Sequence, residues 1–343
     1  MVVESFLIFP KNHDSPKVAM KPSSDMGNQL IMKDQTSTFD PHRRELISNT
    51  FTKGILASLA ISLSTIKGTN KLAFAAEVIN DSVGSVAHPV AIIGGSGRTG
   101  MAVAENLAGE LGQMQTVLMT RSGKDPFQIV KLPPATKERI SLFGNSVDVR
   151  DANSILSAFQ ETKPSVVVFA ASASKQGGNS FDVDDVGVEN VARACKSVGA
   201  KLILISALAV DRPDSKSFQI TNTIGGYMDK IMDAKLNGEM KAKQIMGKNY
   251  VIIRPGVLLN GKGKNGAKDI ELNQGDTIGG GLSRDELAGV VVGAILNGKT
   301  GITVEAYRKS TATKLQPEFV IPSGNELYAS TYENLFTNAK DNL

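Results

Sequence analysis

A glycine-rich run close to residue 100 has the residue types and spacing that bind a phosphate group. It follows the apolar segment Val90–Ile93 and reads Gly94-Gly95-Ser96-Gly97-Arg98-Thr99-Gly100. Gly94 allows a sharp turn off a strand, Gly97 a close approach to a pyrophosphate, and Gly100 close packing of helix on strand. Free N–H groups at the helix start then face the anion, and the Thr99 hydroxyl adds a donor. The order strand, loop, helix predicts a dinucleotide site.

The end of the second predicted strand distinguishes between the two nicotinamide dinucleotides. NAD-binding folds place an acidic residue there, roughly 20 residues after the loop, to bind the ribose 2′-hydroxyl. In this chain residues 117–120 are followed by Arg121 and Ser122, and no carboxylate stands at that point. An arginine pairs with a 2′-phosphate that a carboxylate would repel. Arg98 in the loop points to the same pocket, so the sequence predicts NADP(H) over NAD(H).

Apolar runs of strand length alternate with helical patterns from residue 89 onward. The runs at 166–169 and 202–206 are continuous, as in strands buried on both faces. Such alternation predicts an α/β fold with a doubly wound parallel sheet, a Rossmann fold. Extra chain at 207–226 and 260–282 predicts a small C-terminal substrate-side region. Strands are predicted at 90–93, 116–120, 140–143, 165–170, 201–206, 250–254 and 301–305, and helices at 101–111, 152–159, 186–198, 228–246, 282–296 and 329–339.

Residues 1–88 differ from this body and are predicted to be a targeting leader or disordered segment, with the Rossmann domain at 89–343. Arg43 and Arg44 precede an apolar run at 54–66 and the sequence Ala73-Phe74-Ala75, the order of an export signal with a cleavage site. The apolar run is shorter than the ~20 residues of a transmembrane span. Because the signal begins so late, we expect a bipartite leader to the plastid and thylakoid lumen. The alternative is the disordered tail of a cytoplasmic protein.

Composition excludes several classes of site. The net charge is +4, of which +3 comes from nine basic and six acidic residues within 1–76, so the body is nearly neutral. A neutral body without Trp argues against nucleic-acid binding. Cys195 is the single cysteine, which excludes an internal disulfide and cysteine-type zinc sites. The three histidines, at 13, 42 and 88, all precede the first predicted strand, which excludes a histidine triad or histidine metal site in the body.

Several further motifs recur in a fixed order along the body. They are GGSGRTG, SVDVRDANSI, FAASAS, LILISALAV, KLNGEMKAKQ, NYVIIRPGVLL and DTIGGGLSRDELAGVVVGAIL. Together they resemble an atypical short-chain dehydrogenase/reductase of the NmrA-like, NAD(P)H-binding kind, over about residues 89–340. Plastid members of that group include enzymes and assembly or scaffold proteins. The ordered set is specific for the superfamily and for no single reaction.

The resemblance implies a role for each residue of the expected site. Ser206 occupies the place of the catalytic serine, and Lys235 that of the lysine that holds the ribose hydroxyls. The other implied contacts are Asp148 and Val149 at the adenine, Ala170, Ala171 and Ser172 at the nicotinamide-side ribose, and Pro255 and Gly256 near the nicotinamide.

The sequence departs from the family at its proton donor. The standard pattern is Tyr-x-x-x-Lys, yet Ile231 stands four residues before Lys235. Tyr227 is eight residues before that lysine, about 12 Å away along a helix at 1.5 Å per residue. Without a tyrosine donor, Ser206 is either catalytic or a ligand of cofactor or backbone.

Two functional hypotheses of different class follow. The first is an NADPH-dependent reductase of a small carbonyl or unsaturated substrate, because atypical reductases also work without that tyrosine. The second is a non-catalytic NADP(H)-binding scaffold or redox sensor that binds a partner protein. Two acidic pairs, Asp184-Asp185 and Asp285-Glu286, stand at predicted helix starts, and solvated helix caps are expected there rather than acid/base catalysis.

Overall fold

The structure is a computed structural model that describes residues 82–126, 129–261, 263, 265–320 and 326–342. The predicted leader signals lie outside the described residues, so the boundary after residue 88 stays a prediction. The strands are β1 Val90–Ile93, β2 Thr116–Met119, β3 Ile140–Leu142, β4 Val166–Phe169, β5 Lys201–Ile205, β6 Tyr250–Pro255, β7 Val257–Leu259, β8 Ile270–Asn273, β9 Ile278–Gly279, β10 Gly281–Ser283, β11 Ile302–Arg308 and β12 Thr313–Lys314. The α-helices are α1 Arg98–Ala108, α2 Pro134–Lys137, α3 Ala152–Thr162, α4 Gly187–Val198, α5 Lys216–Asn222, α6 Ile231–Met246 and α7 Arg284–Asn297.

An eight-stranded sheet with the order β3-β2-β1-β4-β5-β6-β11-β8 forms the centre of the fold. Neighbouring strands pair in parallel, except that β8 runs antiparallel to β11. The predicted doubly wound sheet is therefore confirmed, with one antiparallel edge strand. The chain order reverses between β1 and β4, and folds of this type bind ligands in the crevice beyond the carboxyl ends of the strands at that point.

Alternate residues of each strand supply the two apolar layers that cover the sheet. Val90 and Ile92 pack in the layer that contains residues of α1 and α7. Ala91 and Ile93 pack in the layer that contains residues of α3, α4 and α6. Because the central strands are buried on both faces, their side chains are apolar without interruption, which is why β4 reads Val-Val-Val-Phe. In the described part of the chain, no helix is both long and apolar enough to cross a membrane.

Several elements differ from the sequence predictions. The predicted closing helix at 329–339 is wrong: a 3₁₀ turn at Glu333–Phe336 stands there, in a segment rich in Ser, Thr and Asn, which favour turns over helix interiors. Helix α6 begins at Ile231, since Gly225, Gly226 and Lys230 have φ of 77°, 63° and 52° and end the helical geometry before it. Helix α5 and strand β8 were not predicted.

A π-helix at Phe181–Val186 leads directly into α4 and packs against α6. Gly238 of α6 faces the main chain of this π-helix, and a Cβ there would lie 2.1 Å from the carbonyl oxygen of Asp184. Glycine at 238 therefore lets α6 approach the π-helix closely. This approach places the first turns of α6 at the carboxyl ends of β4 and β5.

Candidate functional site

The glycine loop makes its sharp turn directly after β1. Gly94 has φ +82°, and a Cβ there would lie 2.7 Å from the backbone nitrogen of Ala171. A Cβ on Gly100 would lie 2.3 Å from the carbonyl oxygen of Gly94, so α1 could not begin so close to β1 with a larger residue. Gly95 is buried beside Leu118. The loop therefore requires the small residues that the sequence supplies.

The first turn of α1 is open to an anion. Gly97 is its N-cap, without a side-chain cap, and no acidic residue stands in the first turn. Ser96, Gly97 and Arg98 are exposed, and Thr99 is half-buried. The free N–H groups and the helix dipole therefore face a cleft with no carboxylate of that turn beside them. This arrangement fits the pyrophosphate of a dinucleotide.

Three arginines lie around this loop, and one of them was missed by sequence reasoning. Arg121 is exposed after β2, and its guanidinium donates to the carbonyl oxygen of Gln176. The pKa of Arg284, at the start of α7, is lowered by burial and then by the charge of Arg98. The buried Nε of Arg284 has no hydrogen-bond partner among the described residues. Arg98 and Arg284 therefore form a pair of neighbouring cations beside the helix start.

The expected adenine end lies in a cleft of about 500 Å³ lined by Asp148, Arg150, Asp151, Asp182 and Val186. The Arg150 guanidinium donates to Asp148 at 2.6 Å and lowers the pKa of that carboxyl. Asp148 thus lines the cleft with its charge matched. The side chain of Val149 is 6% exposed and belongs to the core, so only its backbone can reach a ligand.

The expected nicotinamide end brings together residues from three elements, which are the segment after β4, the π-helix and α6. Ser172 is exposed in the segment after β4, and its hydroxyl donates to Asp184 at 2.9 Å. The ammonium of Lys235, on α6, donates to the same carboxylate at 2.6 Å. Ala170 and Ala171 are half-buried and lead into this segment, while Pro255 ends β6 and is buried.

Ser206 lies directly after β5 in a small cavity beside this cluster. Its side chain is buried, at 7% exposure, and its Oγ has no hydrogen-bond partner in the part of the chain that the structure describes. The cavity has a volume of about 10 Å³ and is lined by Phe169, Asp184, Val188, Leu204, Ile205, Ser206 and Lys235. A space of this size holds about one water molecule. The structure therefore brings Ser206 and Lys235 together, as the resemblance implies.

Sequence comparison agrees with this geometry. The pattern of the NAD(P)H-binding family matches residues 94–298. The chain belongs to the NAD(P)H-binding family. No curated protein matches the chain.

Several solved structures are similar to this NAD(P)H-binding protein at low sequence identity. The oxidoreductase ylbE from Lactococcus lactis is 16% identical, with a TM-score of 0.50, over 65% of this chain and 92% of that chain. A wide-type short-chain dehydrogenase/reductase from Veillonella parvula, in complex with NADP, is 15% identical, with a TM-score of 0.49. The match covers 67% of this chain and 98% of that chain. WbmG from Bordetella bronchiseptica, in complex with NAD, is 16% identical, with a TM-score of 0.47 over 74% and 89%.

Among the residues that the structure describes, no tyrosine lines the Ser206 cavity of this NAD(P)H-binding protein. Tyr227 is 45% exposed on the loop before α6, and its carbonyl oxygen accepts a hydrogen bond from Ser180 at 3.1 Å. Ile231, at the tyrosine position of the standard pattern, is 1% exposed. Among the described residues, no group of three or more His, Cys, Asp or Glu side chains could hold a metal ion.

Asp184 and Asp185 are not the solvated caps that the sequence suggested. They lie inside the π-helix, at 1% and 7% exposure. Asp184 pairs with Lys235, and Asp185 pairs with Lys241 at 2.7 Å. The prediction was wrong because the π-helix continues into α4, so these residues are in its interior rather than at a helix start. No local pattern in the sequence marks a π-helix.

Proposed function

We propose that this NAD(P)H-binding protein is an NADPH-dependent reductase of a small carbonyl or unsaturated substrate. The observation that carries the proposal is the buried, unpartnered hydroxyl of Ser206 in one cavity with Lys235. Leaving a buried hydroxyl without a partner costs about 1–3 kcal/mol. A hydroxyl held in this way beside a cofactor cleft is suited to donate to the oxygen of a bound substrate.

Each residue has a separate task in this proposal. The nicotinamide, when bound, supplies the hydride. Lys235 donates hydrogen bonds to the ribose hydroxyls and holds the ring in position. Ser206 donates a hydrogen bond to the substrate oxygen and stabilises the negative charge that develops on it, and a water molecule supplies the proton that completes the product. The open first turn of α1 binds the pyrophosphate.

The choice of NADP(H) over NAD(H) is part of the proposal. The residue that follows β2 and Thr120 is Arg121, where NAD-binding folds carry a carboxylate. Arg98 adds a second exposed cation at the loop. Both can pair with a 2′-phosphate.

A second candidate is a non-catalytic NADP(H)-binding module that senses redox state or assists assembly by binding a partner protein. The observation that favours it is the missing tyrosine at Ile231 and the outward position of Tyr227.

For either function we propose a plastid location, in the thylakoid lumen, on the strength of the leader signals at 43–75. N-terminal sequencing of the native protein tests this location, and a mature chain that starts near residue 76 is expected.

Single-turnover absorbance at the NADPH band distinguishes the two candidates. The purified protein is mixed with NADPH and a panel of quinones, flavins and aldehydes. For a reductase, Ser206→Ala should leave NADPH affinity unchanged and lower kcat/KM by about 100-fold, as for loss of one oxyanion donor. Ser197→Ala, which removes a hydroxyl on α4 that donates to the Ala194 carbonyl, is the control. NADPH binding without turnover of any substrate would favour the binding module.

A further inference from the structure

The carboxylate of Asp184 joins three elements of the proposed cofactor site. One oxygen accepts from the Lys235 ammonium at 2.6 Å, and the other accepts from the backbone N–H of Ala173 at 2.8 Å. The Ser172 hydroxyl lies 2.9 and 3.1 Å from the two oxygens. With an exposure of 1%, Asp184 is shielded from water, and these are the hydrogen-bond contacts of its carboxylate among the described residues. It therefore ties the segment after β4 to α6.

The contacts of Asp184 determine which way each neighbouring group can hydrogen-bond. An ionised carboxylate only accepts, so the Ser172 hydroxyl must donate its single proton to it. The lone pairs of Ser172, which is exposed, are then free to accept from a ligand hydroxyl. Lys235 has three donors and uses one on Asp184, which leaves two for a ligand. The carboxylate thus prepares one acceptor and one donor on the same side of the cleft.

A second observation connects Asp184 to ligand binding rather than to folding alone. Asp184 lines the same cavity as the unpartnered hydroxyl of Ser206. Its neighbour Asp185 is similarly buried and is paired with Lys241, but the side chain of Lys241 is 35% exposed, and Lys241 also pairs with Glu189. The pair Asp185–Lys241 lines no part of the Ser206 cavity. Two adjacent carboxylates thus make similar pairs with α6 and differ in what lies beside them.

We propose that Asp184 is a positioning residue of the site, which holds Lys235 as donor and Ser172 as acceptor for the two hydroxyls of the nicotinamide-side ribose. The inference rests on the proposed NADP(H) binding and goes beyond it, since neither Asp184 nor this division of donor and acceptor is part of that proposal. Asp184 acts through Lys235 and Ser172 and makes no contact of its own with the cofactor.

The test measures NADPH affinity and the fluorescence emission of the bound nicotinamide in the full-length protein. Asp184→Asn removes the charge-assisted bond to Lys235 and is expected to weaken NADPH binding by about tenfold or more. The emission spectrum of the bound nicotinamide should shift toward that of free NADPH, because the ring is held less firmly. Asp185→Asn is the matched control. It loses the adjacent carboxylate–lysine pair, which is more exposed, and should cost no more thermal stability than Asp184→Asn, with NADPH affinity and emission unchanged.

Two further variants test the route of the effect. In a Lys235→Met background, Asp184→Asn should weaken NADPH binding by no more than about fivefold, because the donor is already absent and only the Ser172 acceptor is still positioned by Asp184. Ser172→Ala changes an exposed residue, so it tests the network even if Asp184→Asn does not fold. It should weaken binding about fivefold, as for loss of one neutral hydrogen bond of about 1 kcal/mol.

The outcomes separate this inference from the proposed function. If the wild-type protein binds no NADPH, both are overturned. If it binds NADPH and Asp184→Asn binds equally well with an unchanged emission spectrum, only the positioning role is overturned. Equal weakening by Asp185→Asn, or full affinity of Ser172→Ala, would likewise overturn the positioning role and leave NADP(H) binding standing.

Discussion

Helix α6 carries two charges one turn apart, the half-buried Lys235 and the buried Glu239, and their surroundings differ. Lys235 meets Asp184 beside the Ser206 cavity. Glu239 meets Arg254 of β6 in a bidentate pair with distances of 3.0 and 2.7 Å. The second NH₂ group of that guanidinium lies 3.6 Å from both Asp276 and Glu305, and all four residues are at most 3% exposed. We refer to Arg254, Glu239, Asp276 and Glu305 as the Arg254 cluster.

The two groups of charges differ in role: the Arg254 cluster supports the fold, whereas the charges around Lys235 can bind a ligand. In the Arg254 cluster the remaining acceptors are filled by the protein itself: Asp276 accepts from the backbone of Ala209 and Asp211, and Glu305 accepts from the backbone of Asp276. The cluster therefore holds the segment that follows Ser206. The Lys235 ammonium, by contrast, keeps unused N–H donors, and the nearby Ser206 hydroxyl has no hydrogen-bond partner among the described residues. Burial alone thus does not distinguish a supporting cluster from a candidate site; here the distinction rests on the unused hydrogen-bonding capacity of Lys235 and Ser206 in one cavity.

Breaking the Arg254 cluster is expected to have the largest effect. Arg254→Met removes the cation of this cluster and leaves three buried acidic side chains, so the free energy of unfolding should fall by about 3–5 kcal/mol. Urea denaturation measures this loss. Arg193→Met removes a surface arginine that pairs with Glu189 and is 65% exposed, and it should cost less than about 1 kcal/mol. Equal losses in the two variants would contradict the supporting role of the Arg254 cluster.

The pH dependence of stability tests the same cluster with a smaller change. Burial, followed by the Asp276 carboxylate, raises the pKa of Glu305 from its ordinary 4.5 to about 8. The folded protein therefore holds this proton more tightly than the unfolded chain, and ionisation costs stability as pH rises through that window. Glu305→Gln stays neutral, so its stability relative to wild type should grow with pH from about 4.5 to about 8 and then level off, by at most about 1.4 kcal/mol per unit.

Urea titrations at several pH values measure this trend, with the exposed Glu333→Gln as the control. A stability difference between Glu305→Gln and wild type that does not change between pH 5 and 8 would show that the Glu305 carboxyl is not protonated in the folded protein.

The sheet could be predicted from sequence because its signals are local and strong. Residues 90–93 and 166–169 are continuous apolar runs, and buried parallel strands allow little else. The edge strand β8 was missed because its burial depends on contacts far along the chain, such as the pairing of Leu272 with Leu327. The closing helix was wrongly predicted for a related reason. Leu335 and Phe336 are buried by tertiary packing while their neighbours favour turns.

The site could be predicted only where one segment carries the whole signal. The glycine loop and its context identified the dinucleotide end, and the family resemblance located Ser206 and Lys235. The role of Asp184 could not be predicted from the sequence, because it depends on α6, some 50 residues later. It also depends on Gly238, which permits the close approach of α6 to the π-helix. Arg284 escaped because it follows an apolar segment, and its nearness to Arg98 exists only in the folded protein.

Gly238→Ala tests whether the close packing of α6 against the π-helix positions Lys235. The added Cβ would lie 2.1 Å from the Asp184 carbonyl oxygen, so α6 must move away from the π-helix. Stability should fall by about 1–3 kcal/mol, and NADPH affinity should fall as well, because Lys235 moves with the helix. Gly144→Ala is the control, since its Cβ would meet nothing within 4 Å, and it should change stability by less than about 0.5 kcal/mol. Unchanged NADPH affinity in Gly238→Ala would contradict this link.

The smallest effect is expected for the exposed arginines, because their charges have no carboxylate partner among the described residues but are screened by solvent. Arg98 and Arg121 are exposed, and in the described residues neither forms an ion pair with a carboxylate, whereas the Arg150 charge is matched by Asp148 at 2.6 Å. We expect NADPH to bind more tightly than NADH by about 1–3 kcal/mol, the range of hydrogen bonds to charged groups. Arg98→Ala and Arg121→Ala should each reduce that preference, and Arg150→Ala should reduce it least because its charge is already satisfied. Calorimetric titration of both cofactors at low and high salt measures the preference, which should shrink as salt screens the exposed charges. Equal affinities for NADPH and NADH in the wild type, or a preference that neither Arg98→Ala nor Arg121→Ala reduces, would mean that these two arginines do not select the cofactor.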